Sequence, residues 1–310
     1  RGAAFKLKNF LIGGDKNGSW ILWCMAIPCV IFFIMFSYVP LFGWLYAFFD
    51  YEPAVSLFQC DFVGLKYFKR LLAEPEVWTA LRNTLALSFL GMLTSPLSVI
   101  FAILLTEFKS VKFQKTIQTV TTFPNFISWI IIYSIALIFF SVDDGALNKV
   151  LLSLGWIDQP TNLLANKDAV WPLQTILGIW KGLGFGSIVY FAAISGIDGE
   201  LYDAASVDGA GRFQKIWHIK VPGVMPTFVV LFLLGIGGIL NSGFEQLYVF
   251  YNPAVHETIQ TLDLYVYKIG IERNSYSFST AIGITKTLVS LVLLTFANWT
   301  AKKVRGNAIL

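Results

Sequence analysis

The stretch from Asp203 to Pro226 reads DAASVDGAGRFQKIWHIKVPGVMP and lies between two long apolar runs. Its signals are those of a folded segment: acidic residues near a helix start, a glycine stop, a second amphipathic helix and two prolines. A plain connection between two membrane spans needs none of these signals. We therefore expect this segment to dock onto another protein outside the lipid bilayer.

The rest of the chain is too apolar for a soluble domain. Hydrophobic residues make up 56% of its 310 residues and charged residues 14%, whereas ordinary soluble domains carry about 25% charged residues. Its continuous apolar runs are long enough to cross a bilayer, and lipid leaves exposed backbone groups unsatisfied, so such runs predict helices. We predict an all-α membrane protein with six transmembrane helices, approximately Trp20–Ala47, Asn83–Thr106, Ile117–Phe140, Pro172–Gly196, Met225–Phe250 and Ser279–Ala301.

The distribution of basic residues predicts the orientation in the membrane. With the N-terminus in the cytoplasm, the inner segments carry 13 Lys and Arg residues and the longer outer segments carry eight, as the positive-inside rule requires. Both termini and the stretch around Asp203 are then cytoplasmic, in a multi-pass protein of the bacterial cytoplasmic membrane. The net charge of +4 reflects this sidedness and does not indicate nucleic-acid binding. Three long outer loops follow from this map: Phe48–Arg82, Ser141–Trp171 and Tyr251–Phe278.

The polar segment itself predicts two helices joined by a sharp turn. We place this pair of helices at residues 198–224 and call it the elbow. Asp198 is a helix N-cap candidate, and Gly209 is a stop signal because glycine adopts the left-handed conformation easily. A second helix carrying Phe213 and Trp217 is expected to end at Pro222. The alternative is an amphipathic helix that only anchors the bundle at the membrane surface.

The elbow resembles the EAA loop of binding-protein-dependent ABC importer permeases. That loop has Glu-Ala-Ala, two residues, Asp-Gly-Ala, and then isoleucine and proline pairs. The matching residues here are Asp203-Ala204-Ala205, Asp208-Gly209-Ala210, Ile216 and Ile219, and Pro222 and Pro226. Asp203 replaces the family's glutamate, which keeps the charge and shortens its reach. Further stretches resemble permeases for oligosaccharides derived from polysaccharides: Phe36–Pro40, Phe123–Trp129, Trp180-Lys181 and Gly243–Gln246.

The resemblance implies a type I ABC importer permease fold, with a cytoplasmic N-terminal segment at residues 1–19 and a transmembrane domain at 20–310. The elbow would be a coupling helix that fits a groove of a separate ATPase. That role would fall on Asp203, Ala204, Ala205, Asp208, Gly209, Ala210, Ile219 and Pro222. The implied partners are a second homologous permease, a cytoplasmic ATPase dimer, an extracytoplasmic solute-binding protein and an oligosaccharide.

No phosphate-binding loop of the form G-x-x-x-x-G-K-S/T occurs in the sequence. Gly182, Gly184 and Gly186 interrupt the fourth run, but their spacing favours close helix packing over nucleotide binding. His218 and His256 lack nearby metal-ligand partners, and no nucleophile–base arrangement is evident. We therefore expect no catalytic residue, no metal site and no cofactor in this chain, with ATP and magnesium on the partner ATPase.

Charged residues inside membrane spans are costly and indicate function. Lys181, Glu245 and Lys286 are the charged candidates for a substrate path, and either lysine could instead form a structural ion pair with Glu245. Further path candidates are aromatic or amide residues that could contact sugars: Trp180, Asn241, Gln246 and Tyr248.

Two other functions were weighed against an ATP-driven oligosaccharide importer. An ion-gradient-driven secondary sugar transporter needs intramembrane carboxylates, and Glu245 is the one such candidate in the predicted spans. A membrane scaffold that transports nothing would not stimulate a partner ATPase. Neither alternative accounts for the elbow motif.

Overall fold

The structure is a computed structural model that describes residues 16–241 and 243–305. Most of the predicted N-terminal segment, residues 1–15, therefore lies outside the described part of the chain. The described residues form helices, turns and one isolated bridge between Phe49 and Phe62.

Five helices are long and apolar enough to cross a bilayer. A sixth crossing is obtained when two helices that meet at a 96° bend are counted together. The described chain thus confirms the predicted count of six. Numbered in chain order, the spans are Trp23–Phe48, Pro75–Thr106, Val111–Phe126 with Trp129–Phe139, Lys167–Ser195, Arg212–Gly237 and Tyr276–Trp299.

Span 2 begins earlier than its apolar run does. The helix starts at Pro75 rather than at Asn83, because proline is favoured in the first turn of a helix and Glu76 follows at the positive end of the helix dipole. The polar residues of these first turns obscured the helix in the hydropathy pattern. A second proline, Pro96, is also in a first turn and opens the continuation to Thr106.

Span 3 is bent, not straight as predicted. The helix Val111–Thr122 passes into a short 3-10 helix, Phe123–Phe126. The chain then becomes extended at Ser128, whose hydroxyl caps the next helix, Trp129–Phe139, by accepting a bond from the Ile131 backbone N–H.

Span 4 contains one unbroken helix from Val170 to Ser195, so its glycines do not interrupt it. A Cβ atom on Gly184 would collide with the backbone of Thr121 in span 3, and one on Gly186 would lie 3.1 Å from the Ser98 hydroxyl in span 2. These two glycines confirm the predicted close packing. Gly182 has no such neighbour within 4 Å.

Span 5 was predicted too far along the chain. Its helix starts at Arg212 and ends at Gly237, and the residues up to Phe250 form a separate helix, Phe244–Phe250. Gly243 precedes that helix at a φ of 68°, which L-residues with side chains rarely adopt. Glycine-rich sequence therefore ends the span inside what reads as one apolar run.

The predicted outer loop Tyr251–Phe278 is a packed segment. Its short helices are Pro253–Val255, His256–Ile259, Leu262–Tyr267 and Lys268–Glu272. Buried Asn83 in span 2 donates 2.9 Å bonds to the carbonyls of Glu257 and Gln260, while the Thr84 hydroxyl accepts one from the Leu262 backbone N–H. These bonds satisfy backbone groups that a sheltered loop would otherwise leave unpaired.

Three buried clusters join the described helices. One lies beside the elbow, and its members from spans 2, 4 and 5 are Ala102, Ile103, Tyr190, Ile194 and Val224. A second joins the starts of spans 2 and 6 to the packed segment, with Val77, Leu262, Tyr265 and Phe278 among its members. The third joins spans 3 and 4 to the helix Phe244–Phe250, with Ile132, Val170 and Leu247 among its members.

Span 1 differs, since its described side chains from Trp23 to Phe42 are all exposed. Further short helices outside the spans are Leu57–Gln59, Lys66–Ala73, Ala146–Ser153 and Leu163–Ala165.

We predict that Gly184→Ala destabilises the fold by about 1–3 kcal/mol, the usual cost of overpacking a close contact. The matched control is Gly182→Ala in the same helix, which meets open space and should be neutral or stabilising by up to about 1 kcal/mol because alanine favours helix. Thermal unfolding midpoints in detergent measure both. Equal midpoints for the two variants would contradict the packing role of Gly184.

Candidate functional site

The first arm of the elbow is a helix from Gly199 to Val207. The Asp198 carboxylate accepts a 3.0 Å bond from the Glu200 backbone N–H, which confirms the predicted N-cap. At the other end Gly209 has a φ of 75°, and the Ala210 N–H bonds to the Ala205 carbonyl at 2.8 Å. This is a Schellman termination, and it confirms Gly209 as the stop signal.

The second arm does not end at Pro222 as predicted. The chain is helical from Arg212 onward and continues directly into span 5. A wider π-turn at Ile216–Lys220 precedes Val221, whose N–H bonds to the Ile216 carbonyl. Pro222 follows near the start of the next α-helical segment, where the missing N–H is tolerated. The second arm of the elbow and span 5 are therefore one continuous helical rod.

The base of the elbow is held by Glu107, the first residue after span 2. Its carboxylate bonds to the guanidinium of Arg212 and to the ammonium of Lys220. Arg212 also donates a 2.8 Å bond to the Glu107 carbonyl, and Lys220 donates a 2.9 Å bond to the Thr106 hydroxyl. The Glu107 and Lys220 side chains are only 13% and 10% exposed.

Burial by itself raises the pKa of Glu107, but the bonds from Lys220 and Arg212 outweigh it and hold the pKa below its ordinary value of 4.5. A carboxylate with a lowered folded-state pKa stabilises the structure fully above its unfolded pKa. That contribution is lost as the pH falls through the lowered value. The clamp around Glu107 is therefore charged and intact at neutral pH.

Much of the elbow surface is exposed and partly apolar. The side chains of Val207, Phe213 and Trp217 are 88%, 77% and 66% exposed. Of the predicted coupling residues, Asp203, Ala204, Asp208, Gly209 and Pro222 are exposed, and Ala205, Ala210 and Ile219 are half-buried. Small residues beside large exposed apolar ones are typical of a surface that another protein covers.

A cavity of about 440 Å³ with both polar and apolar lining residues lies among spans 2 and 4 and the segment after span 5. Its polar lining consists of hydroxyl and amide side chains, namely Ser88, Thr94, Ser95, Ser98, Gln174, Thr175, Asn241 and Gln246. Gln246 donates 2.8 Å bonds to the backbone and side-chain oxygens of Gln174. Such groups can exchange hydrogen bonds with the hydroxyls of a polar solute.

Asn241 and Lys286 are brought together by the fold. Both line an adjoining cavity of about 320 Å³, together with Asp263, Thr287 and Ser290. The Lys286 ammonium bonds to the Asp263 carboxylate. The structural pair that the sequence suggested for Lys286 therefore forms, but with Asp263 rather than with Glu245.

The comparisons with known proteins agree with this architecture. Residues 94–306 match the family described as "Binding-protein-dependent transport system inner membrane component". The chain belongs to this family. It is thus a multi-pass inner-membrane permease component, and permease subunits of this kind are not themselves enzymes.

Two curated relatives of this permease come from Bacillus subtilis (strain 168). The protein LplB is 40% identical over 93% of this chain and 90% of its own length. The polygalacturonan/rhamnogalacturonan transport system permease protein YteP is 38% identical over 91% of this chain and 88% of its own.

Solved structures confirm the type I ABC importer permease fold. This permease superposes with a TM-score of 0.86 on a chain of a bacterial alginate ABC transporter solved with an alginate pentasaccharide-bound periplasmic protein. The two chains are 33% identical, and the match covers 96% of this chain and 99% of the other.

Lys181 in span 4 of this permease holds the bend in span 3. Its ammonium donates to the carbonyls of Pro124, Asn125 and Ile127 and lies 5.3 Å from the ring centre of Trp129. The ion pairs among the described residues do not include Lys181 with Glu245. The contacts of Lys181 are therefore ones that stabilise the bend. A role for Lys181 in the substrate path stays a prediction.

The other predicted path residues lie outside the two cavities. Trp180 is 47% exposed and Glu245 is exposed in the first turn of the helix after span 5. Tyr248 stacks on Phe244 at 5.4 Å and packs edge-on against Tyr267 at 5.3 Å. Glu245 and Tyr248 are both exposed, and their role in the substrate path stays a prediction.

Sequence reasoning missed the cavity serines, Glu107 and Asp263. Ser88, Ser95 and Ser98 are spaced seven and three residues apart, which places them on one face of a helix, and this pattern could have identified them. Glu107 and Asp263 gave no comparable signal, because both were read as parts of connections between spans.

We predict that Lys181→Met removes most of the folded, assembled permease instead of reducing uptake alone. The part-buried carbonyls of Asn125 and Ile127 lose the ammonium donor, and each buried carbonyl left unpaired costs about 1–3 kcal/mol. The Pro124 carbonyl keeps its bond from the Ile127 N–H. The measurement is the yield of monodisperse complex after detergent extraction. The control is Lys149→Met, which removes an exposed ion pair with Asp144 and should change the yield little. Normal assembly with lost uptake would instead favour the substrate-path role.

Proposed function

We propose that this permease forms half of the translocation pathway of an ATP-driven importer for oligosaccharides released from polysaccharides. The elbow couples it to a separate ATPase dimer, which binds the ATP and magnesium. A loaded extracytoplasmic binding protein delivers the sugar. The observation that carries the proposal is the elbow itself: an ordered two-helix segment whose second arm is continuous with span 5 and whose motif residues are mostly exposed.

The proposed substrate class is supported by relatives and by cavity chemistry. The printed names of relatives include transport systems for polygalacturonan/rhamnogalacturonan and for arabinooligosaccharides, and the matched solved structure handles alginate. The main cavity has a lining of serine, threonine, asparagine and glutamine. Sugars present many hydroxyls to such a surface, and each can both donate and accept a hydrogen bond.

The need for a second permease chain is supported by the exposed parts of this one. One chain offers one elbow, whereas an ATPase dimer offers two grooves. The side chains of span 1 are exposed from Trp23 to Phe42, which is more apolar surface than one helix packed in a bundle retains. We propose that lipid and a second, related permease cover this surface. A heterodimer of two such chains completes the pathway.

The proposed orientation places the elbow and both termini in the cytoplasm. The excess of basic residues in the corresponding segments supports it. In this arrangement residues 1–19 precede a single transmembrane domain at residues 20–310. The ATPase then meets the elbow at residues 198–224, and the binding protein meets the opposite face.

Uptake by the complete complex in proteoliposomes tests the proposed function. We expect it to require ATP on the elbow side and to persist when an ionophore collapses ion gradients, whereas a secondary transporter would behave in the opposite way.

We further predict that Ala204→Trp abolishes ATPase binding, because the exposed small side chain lies on the proposed contact face. Co-purification of the ATPase measures this.

The matched control for that variant is Ala146→Trp. Ala146 is also an exposed helical alanine, but it belongs to the helix Ala146–Ser153, away from the elbow. It should leave co-purification unchanged. An ATPase that binds Ala204→Trp as well as wild type would remove the elbow from the contact.

We predict that Asn241→Leu lowers uptake at least tenfold while assembly and ATPase binding stay normal. Asn241 lines both cavities, and leucine cannot exchange hydrogen bonds with a sugar hydroxyl. Asn241→Gln keeps the amide and should retain most of the uptake. Wild-type uptake by the leucine variant would place the sugar path elsewhere.

A further inference from the structure

One half of the clamp around Glu107 is buried. Most ion pairs among the described residues have at least one side chain more than 40% exposed, and the Arg212–Glu107 pair is one of them because Arg212 is 64% exposed. The Glu107–Lys220 pair instead has side chains 13% and 10% exposed. Removing one partner of a buried pair is strongly disruptive, because the other charge is left without compensation.

The bonds of the clamp join two specific elements. Glu107 follows the last residue of span 2. Arg212 and Lys220 both belong to the rod formed by the second arm of the elbow and span 5. Arg212 lies at the first position of that rod and Lys220 at its π-turn, so the carboxylate is bound at two points along the rod. Attachment at two points resists both sliding and rotation of the rod against span 2.

Span 2 runs from the clamp to the cavity of about 440 Å³. Ser98, Ser95 and Ser88 of span 2 line that cavity at increasing distance from Glu107 along the helix. Val224 of span 5 is buried against Ala102 and Ile103 of span 2 just beyond the clamp. A displacement of the elbow is therefore transmitted to a helix that carries cavity residues.

We propose that Glu107 is a positioning residue for energy coupling: it locks the elbow to span 2, so that motion imposed on the elbow moves the cavity wall. The inference rests on the proposed function and specifies how motion passes from the ATPase to the cavity. Without the clamp, the ATPase would still bind the exposed face of the elbow and hydrolyse ATP. The elbow would then shift against span 2, and less of its motion would reach the cavity.

The test is Glu107→Gln in the complete complex, reconstituted in proteoliposomes with the loaded binding protein. The amide keeps the shape and removes the charge. We expect the ratio of oligosaccharide imported to ATP hydrolysed to fall at least fivefold per assembled complex. A merely structural role would lower the amount of complex, and with it both rates in parallel, without changing this ratio.

The matched control is Glu74→Gln. Glu74 flanks the other end of span 2 and pairs with Arg70 in a partly exposed ion pair, so its loss should leave the ratio unchanged. Lys220→Gln removes the other buried partner and should lower the ratio in the same way, which keeps the test decisive if Glu107→Gln assembles poorly.

The outcomes separate the two proposals. If the wild-type complex shows no ATP-driven uptake, the proposed function fails and the coupling role of Glu107 fails with it. If wild type transports and the assembled Glu107→Gln or Lys220→Gln complex keeps the wild-type ratio, only the coupling role of Glu107 is overturned.

Discussion

Every backbone polar group of a chain in lipid has to be satisfied by the protein itself, and this constraint explains where the buried polar side chains are placed. The fold departs from straight helices at the bend in span 3 and in the segment after span 5. Lys181 supplies donors to the carbonyls at the bend, and Asn83 and Thr84 bond the backbone of the later segment. Polar residues in these spans thus make irregular backbone possible.

Buried charges also fix the place where the second arm of the elbow meets span 2. The second arm continues into span 5 without a break, so it cannot move independently of that span. Its remaining freedom is rotation against its neighbours, and the buried charges at Glu107 and Lys220 oppose this rotation. In the proposed importer, these few buried bonds supply the rigid connection between an exposed docking face and a cavity wall.

The sequence was sufficient for the fold class, the span count and both ends of the first arm of the elbow, because each depends on local signals. Asp198 and Gly209 have the roles that their chemistry predicts. The failures concern contacts between distant residues. Nothing near Lys181 or Lys286 in the sequence identifies the Pro124 carbonyl or Asp263 as partners. Hydropathy likewise could not separate span 5 from the helix Phe244–Phe250, because a glycine break changes conformation without changing polarity.

The partners of the two intramembrane lysines also bear on which part of a substrate this chain can recognise. Lys181 is bound to backbone carbonyls and Lys286 to a carboxylate, so neither presents a free cation to the described cavities. A carboxylate on an acidic sugar would compete with Asp263 for Lys286 and would gain little from the exchange. The hydroxyl and amide lining suits the feature common to all sugars. In the proposed importer, selection for acidic sugars therefore falls mainly to the binding protein or to the second permease.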